Sequence, residues 1–206
     1  MHNKNIHIRP KRLDMYEKVI HMNTLAAISR NMTTIEYHKL EYSIENFMLI
    51  KQKSEEHWRN KELDLCWGYQ IQKDSTWRNG LSEKELEDFQ KSINIEFPQS
   101  LKNFYRVMNG LNKPGINLNG GEEKPSFHPT FYSYPEDIPI IQKQIETAFS
   151  YNTNELPTNS KIFPYFGHRF LNFTENEKVI SIYYDDIIDW DENLAKGIAK
   201  DIFNLI

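Results

Sequence analysis

The chain has 206 residues and a formal net charge of −4, with 39% hydrophobic and 26% charged residues. That is ordinary soluble composition with enough length for one sizeable core, or for one domain with a helical extension. No apolar run approaches transmembrane length, residues 1–13 are polar and basic without the apolar stretch of a secretory signal, and the lone Cys66 excludes an intramolecular disulfide and fits a reducing cytosol. The protein is therefore expected to be cytoplasmic.

Charge is uneven along the chain. Residues 1–61 carry eleven Lys/Arg against seven Asp/Glu, and residues 62–206 carry fourteen against twenty-two. The acidic second part favours a basic partner and argues against direct nucleic-acid binding, which needs a basic footprint.

In chain order, Leu13, Tyr16, Ile20 and Ala27 predict a helix over 11–29. Thr33 and Glu36 form a capping box for a second helix carrying Tyr37, Leu40, Ile44, Phe47 and Met48 to about His57. The two are expected to make a helical hairpin, so that 1–61 is a helical extension of a domain over 62–206. Leu63, Leu65, Trp67, Tyr69 and Ile71 alternate with polar or small residues. Period two over this run predicts one strand with one apolar face, and Cys66 falls within it as a small buried or half-buried side chain.

The stretch 77–110 is punctuated residue by residue. Ser82 and Glu85 make a capping box, and Leu81 and Leu86 sit at the two ends of a hydrophobic staple. Leu86, Phe89 and Ile93 follow at helical spacing. Asn94 to Phe97 breaks the pattern, and Pro98 suits the first turn of a new helix. Leu101, Phe104, Tyr105 and Met108 mark that helix, with Gly110 expected as its left-handed C-cap after Asn109. All of these residues read as core and caps, so the segment is well specified but empty of chemistry.

Residues 112–126 hold three glycines and two prolines and read as a surface loop. Gly120-Gly121 lacks the Lys-Ser/Thr of a phosphate loop. A short strand is expected over 131–134, and then a helix opened by Pro135 that carries Ile138, Ile141, Ile145 and Phe149. After a second loop over 152–160, strands are expected over 163–166 and 170–173, flanking Gly167-His168. Thr174 to Glu177 suits a hairpin turn before a β-branched and aromatic strand over 179–184. Leu194, Ile198, Ile202 and Leu205 mark a final helix with Asp191 as N-cap. Strands concentrated in the second half, with helices before, between and after, indicate an α+β fold.

The ordered set of motifs resembles the SUKH superfamily, which includes bacterial immunity proteins and yeast cell-wall synthesis regulators. The matching positions are Leu81, Ser82, Glu85, Leu86 and Phe89, then Phe97-Pro98, then Leu101, Phe104, Tyr105, Asn109 and Gly110. Trp67 to Gln72 and Trp77 resemble the lead-in of a bacterial branch, and the strand pair, aspartate-rich stretch and last helix fit the family's order. The likeness covers about 63–206. It implies a curved, mostly antiparallel sheet flanked by helices, and a non-catalytic protein that neutralises a cognate, basic polymorphic toxin by direct binding. A regulatory scaffold binding cellular partners is the alternative within the same superfamily.

The densest polar constellation is Asp185, Asp186, Asp189, Asp191 and Glu192, interleaved with Tyr183, Tyr184 and Trp190. An acidic and aromatic surface suits a Lys/Arg-rich protein partner, and these eight residues are the candidate partner-binding site. If 186–190 is a strand, Asp185, Asp189 and Asp191 share one face, with Asp186 and Trp190 on the other. The same carboxylates are also the sole candidates for a hydrolase, though nothing else builds a cleft. Their spacing is not a calcium loop, and the scattered histidines offer no zinc motif, so no metal or cofactor is expected. His168-Arg169 suits either an anionic ligand or a pairing with nearby acids.

Overall fold

The structure is a computed structural model that describes residues 37–60, 63–66, 69–117, 125–152 and 155–203. The chain divides into two compact units, Met1–Lys39 and Leu40–Ile206, and every element named here lies in the second. The expected helix over 11–29, the Thr33/Glu36 capping box, Trp67-Gly68, Gly120-Gly121, Leu205 and the Cys66 side chain lie outside the described residues.

The fold is α+β with antiparallel pairing throughout the described strands. Helix α1 (Ile44–Arg59) precedes β1 (Leu63–Cys66), β2 (Tyr69–Gln72) and β3 (Trp77–Asn79). Helices α2 (Glu83–Ile93) and α3 (Gln99–Val107) lead into β4 (Met108–Leu111), β5 (Gly115–Asn117) and β6 (Ser126–His128). Helix α4 (Ile138–Tyr151) is followed by β7 (Ile162–Phe166), β8 (Arg169–Asn172), β9 (Lys178–Tyr183), β10 (Asp186–Asp191) and α5 (Leu194–Phe203). The strands form two four-stranded sheets, ordered β1-β2-β5-β6 and β10-β9-β8-β7, and a ribbon of β3 with β4.

Helix α1 belongs to the core of this unit, although the sequence groups it with the extension. Ser43 caps it, accepting from the Asn46 N–H at 3.2 Å. Phe47, Ile50 and Trp58 are buried on one face. The Trp77 indole donates to Ser54 Oγ at 2.8 Å. Lys51 Nζ donates to the Val107 carbonyl at 3.2 Å, a cation at the C-terminus of α3 where the helix dipole favours it.

Helices α2 and α3 follow their sequence signals. Ser82 Oγ accepts from the Glu85 N–H, and Glu85 accepts from the Ser82 N–H at 2.8 Å, closing the capping box. The Ser82 hydroxyl and N–H hold the Glu85 carboxyl below its ordinary pKa. Asn94, at φ +55°, is the left-handed C-cap of α2. Arg106 grips Glu83 with two hydrogen bonds, at 2.7 and 2.9 Å, and ties the helices together. Their apolar faces meet in an aromatic cluster around Phe89. Its ring centroid lies 5.1 Å from Phe97, 5.2 Å from Tyr105, 4.8 Å from Tyr134 and 5.9 Å from Phe163.

Several expectations are corrected. The run 63–71 is two strands of a hairpin, with Cys66 opposite Tyr69 and Asp64 opposite Ile71. Alternation persists in each strand, so period two alone does not reveal a reversal of direction. Residues 115–117 fall within the expected loop over 112–126 yet form a strand paired with 126–128, while 131–134 contributes a single bridge from Phe131 to Phe166. Gly110 is left-handed at φ +72° but lies in β4, since α3 ends in an extended Met108. A Cβ there would come within 2.6 Å of Ser133 Cβ, so close approach requires the glycine. Asn109 beside it clamps the Tyr134 backbone, accepting from its N–H at 2.8 Å and donating to its carbonyl at 2.7 Å.

The C-terminal sheet is covered on both faces. Ile162, Phe170, Ile180 and Ile182 pack with Ala148 of α4. Opposite them lies α5, whose Gly197 approaches so closely that a Cβ would meet Val179 Cγ2 at 2.8 Å. Between α5 and the sheet Arg169 Nε donates to Asp201 Oδ1 at 3.1 Å, with both side chains at 1% exposure or less. The Tyr165 hydroxyl donates to the same carboxylate at 3.3 Å, and burial, followed by the Asp201 charge, raises the Tyr165 pKa.

Two outcomes are expected in urea denaturation. Phe89→Ala should lose about 3–5 kcal/mol, because the cavity opens where four rings meet; a loss below about 1 kcal/mol would show that the cluster does not organise the core. Asp201→Leu should lose about 3–5 kcal/mol by stranding a buried guanidinium, while Arg169→Met/Asp201→Leu should lose less than Asp201→Leu alone. A double variant worse than the single would contradict that reading of the pair.

Candidate functional site

The acidic and aromatic stretch is a hairpin, and the structure divides it in two. Tyr183 pairs with Asp186, so Tyr184 and Asp185 form the turn between β9 and β10. Tyr183 and Tyr184 are 62% and 56% exposed, and Asp185 and Asp186 are exposed beside them. Tyr184 sits at φ +54°, a conformation bulky side chains rarely adopt. Its carbonyl is held by Asn152 Nδ2 at 2.7 Å, just past the end of α4. Tyr151, itself 54% exposed, sets its ring edge-on to Tyr184 at 5.4 Å, and Tyr183 and Tyr184 are 4.8 Å apart. Three tyrosines from two elements thus form one exposed cluster with two carboxylates alongside.

The other half of the stretch is engaged within the fold. Asp189 pairs with Lys178 at 2.6 Å, and Glu192 pairs with Lys196 one helical turn on. Trp190 covers the buried pair, with the Arg169 guanidinium 3.4 Å and the Lys200 ammonium 4.2 Å from its ring centroid. A bulge at Trp190 sets Asp189 opposite Ile180 and Asp191 opposite Val179. Those partners are neighbours in β9, so Asp189 and Asp191 lie on opposite faces, against the simple alternation expected from sequence. The N-cap of α5 is Asn193, which accepts from the Lys196 N–H at 3.0 Å, while Asp191 Oδ1 accepts from the adjacent Glu192 N–H at 2.8 Å. Among the described residues no group of three or more His, Cys, Asp or Glu is placed to hold a metal ion.

Beside the tyrosine cluster opens a cleft of about 370 Å³ that the sequence does not single out. One wall is Tyr69, His128 and Tyr132, with successive ring centroids 5.4 and 6.3 Å apart. The facing wall is His168, Tyr183 and Tyr184, with His168 5.8 Å from Tyr183. Gln144, Thr147 and Ala148 of α4 form the side. The Tyr132 hydroxyl donates to the Gly167 carbonyl at 2.9 Å and joins the walls at the base. These residues come from five separate segments, which is why no local motif marks them. Of the pair His168-Arg169, Arg169 turns into the core to Asp201, the acid pairing that sequence allowed, and His168 turns to the cleft.

Burial, with the Arg169 charge second, lowers the His168 pKa to about 4. An unfolded histidine titrates near ~6.5. Between those values the unfolded chain binds a proton that the folded chain does not. Stability is therefore complete above pH ~6.5 and falls as pH drops through ~4. In a titration followed by NMR, His168 should show a midpoint near ~4, and His168→Gln should flatten the acid arm of the stability profile. A midpoint at or above ~6.5 would contradict the neutral, buried imidazole.

No curated protein matches the chain. Among the described residues no helix is long and apolar enough to cross a membrane. The family model for the SMI1/KNR4 family (SUKH-1) matches residues 80–200, from the residue before the Leu81–Leu86 staple to Lys200 in α5. With more than half of its length accounted for in this way, the chain belongs to the SMI1/KNR4 family (SUKH-1).

Proposed function

We propose that this protein is an immunity protein, acting in the cytoplasm, that neutralises a cognate toxin domain by binding it directly and without catalysis. Family membership supports the reading, since the SUKH family includes immunity proteins. The single observation that carries it is the exposed cluster of Tyr151, Tyr183 and Tyr184 beside Asp185 and Asp186. Tyrosine is enriched at interface cores because it supplies large contact area with few torsions to freeze. Its hydroxyl finds a partner at the wet rim.

The left-handed Tyr184 adds to the case. A non-glycine residue in that region costs of order 1–3 kcal/mol, and such strain gathers at binding sites. Here it presents two tyrosines side by side on a turn braced by Asn152. The carboxylates would steer a basic toxin and set specificity, while the rings hold it. On this reading the contact surface is the hairpin tip with Tyr151, while Asp189, Trp190 and Glu192 are engaged with Lys178, Arg169 and Lys196 of the same chain.

Co-expression with the toxin domain encoded by the adjacent gene should give a complex that co-purifies and cells that survive. Tyr183→Ala/Tyr184→Gly should weaken the complex by at least ~30-fold, the effect of losing about 2 kcal/mol at a binding hot spot. Glycine takes φ +54° freely, so the turn and the melting temperature should be kept. A wild-type protein with no affinity for that toxin and no protective effect would end the proposal.

A further inference from the structure

The two aromatic walls beside the hairpin have a consequence for what the partner must present. The cleft, about 370 Å³, is near the low end of the roughly 300–1,000 Å³ typical of small-ligand sites. It therefore suits one side chain or one small planar group. Among the described residues no Lys, Arg, Asp or Glu lines it. Its charge environment comes from the lip, where Asp185 and Asp186 follow Tyr184 directly and are exposed.

Its base offers acceptors. The Gly167 carbonyl takes one hydrogen bond, from Tyr132, and the Pro129 carbonyl is 2.8 Å from His128 Nδ1, so each retains a second lone pair. Thr130, which lines the cleft, is 4% exposed and its Oγ1 has no hydrogen-bond partner. That oxygen is closed to solvent, which leaves the two carbonyls as the acceptors for a bound group.

We infer that this cleft receives an arginine side chain of the bound protein partner, its guanidinium stacked against the tyrosine and histidine rings and its N–H groups directed at the Gly167 and Pro129 carbonyls. The inference rests on the proposed toxin-binding function and names the anchor residue class for it. Several requirements meet in arginine. The group is planar and stacks on aromatic faces, as Arg169 does on Trp190 in this chain. It carries five donors and no acceptor, matching the Gly167 and Pro129 carbonyls. It is cationic, matching the carboxylates at the lip and the face of a tyrosine ring.

The test uses the full chain and three probes. In NMR titrations, N-acetyl-arginine amide should give saturable shifts at Thr130, Gly167, His168 and Tyr183. N-acetyl-citrulline amide, its uncharged near-isostere, should bind at least ~5-fold more weakly, the size of a modest cation–π contribution. Thr147→Phe, which fills the mouth from the half-buried side of α4, should abolish the shifts; Gln144→Phe serves if that variant does not fold. Equal binding of the citrulline probe, preferential binding of adenosine, shifts elsewhere, or no shifts would each overturn the inference. The toxin complex separates the two claims. If the wild type binds the toxin and a folded cleft-filling variant binds it within twofold, the cleft inference fails and the function stands. If the arginine probe occupies the cleft while the toxin does not bind at all, the function fails and the cleft keeps its arginine preference.

Discussion

Phe89 is fully buried on α2, and its ring is in contact distance of rings from α3, from the segment before α4 and from β7. That meeting of rings is the constraint on which the remaining arrangement depends. It fixes the angle at which the two capped helices leave the Phe97-Pro98 hinge, because Phe97 and Tyr105 must both lie against Phe89. It also fixes the C-terminal sheet, because Phe163 enters the same cluster from β7. Aromatic pairs at these separations add to stability beyond their buried area and prefer particular angles. The cluster therefore sets orientation as well as burial.

From there the position of the exposed hairpin follows in steps. Phe163 anchors β7, β7 pairs with β8, β8 with β9, and β9 carries Tyr183 beyond the edge of α4. Helix α4 fills one face of this sheet and α5 the other, so β9 is buried from Val179 to Ile182 and exposed at Tyr183. The bulge at Trp190 directs the end of β10 toward α5, where the indole closes over Arg169 and Lys200. The buried Arg169–Asp201 pair is weak evidence for stability in itself, since burying both charges offsets much of their attraction. Its value here is positional: it locks α5 to β8 in one register beneath the indole.

Much of this was legible in the residues, and the gaps have physical causes. Three of the four boundaries of α2 and α3 were readable from local signals, Ser82 with Glu85, the break at Asn94, and Pro98, while the end of α3 was not, because Gly110 belongs to β4. The hairpin from β8 to β9 was readable because turn residues separate two apolar runs. The β1–β2 hairpin was not, because alternation within each strand masks a change of direction. Strand β5 was hidden by its glycine, whose role is close packing: a Cβ on Gly115 would meet Thr130 Cγ2 at 2.5 Å. The choice of Asn193 over Asp191 as helix cap depends on where β10 ends, and that is set by the bulge. Of the candidate site, the acidic and aromatic hairpin was visible as a cluster in sequence. The contacts of Asp189, Trp190 and Glu192 with Lys178, Arg169 and Lys196 were not, nor was the cleft, because Tyr69, His128, Tyr132 and His168 meet only through tertiary structure.

The central claim is that this family member works through the tyrosine tip and its cleft, with the capped helices as scaffold. Hydrogen–deuterium exchange on the complex with the toxin domain encoded by the adjacent gene tests it most directly. The account expects new protection at Tyr151, across residues 183–186 and around Gly167 and His168, with the exposed faces of α2 and α3 unchanged. Protection confined to α2 and α3, with the tip and the cleft exchanging as in the free protein, would contradict it.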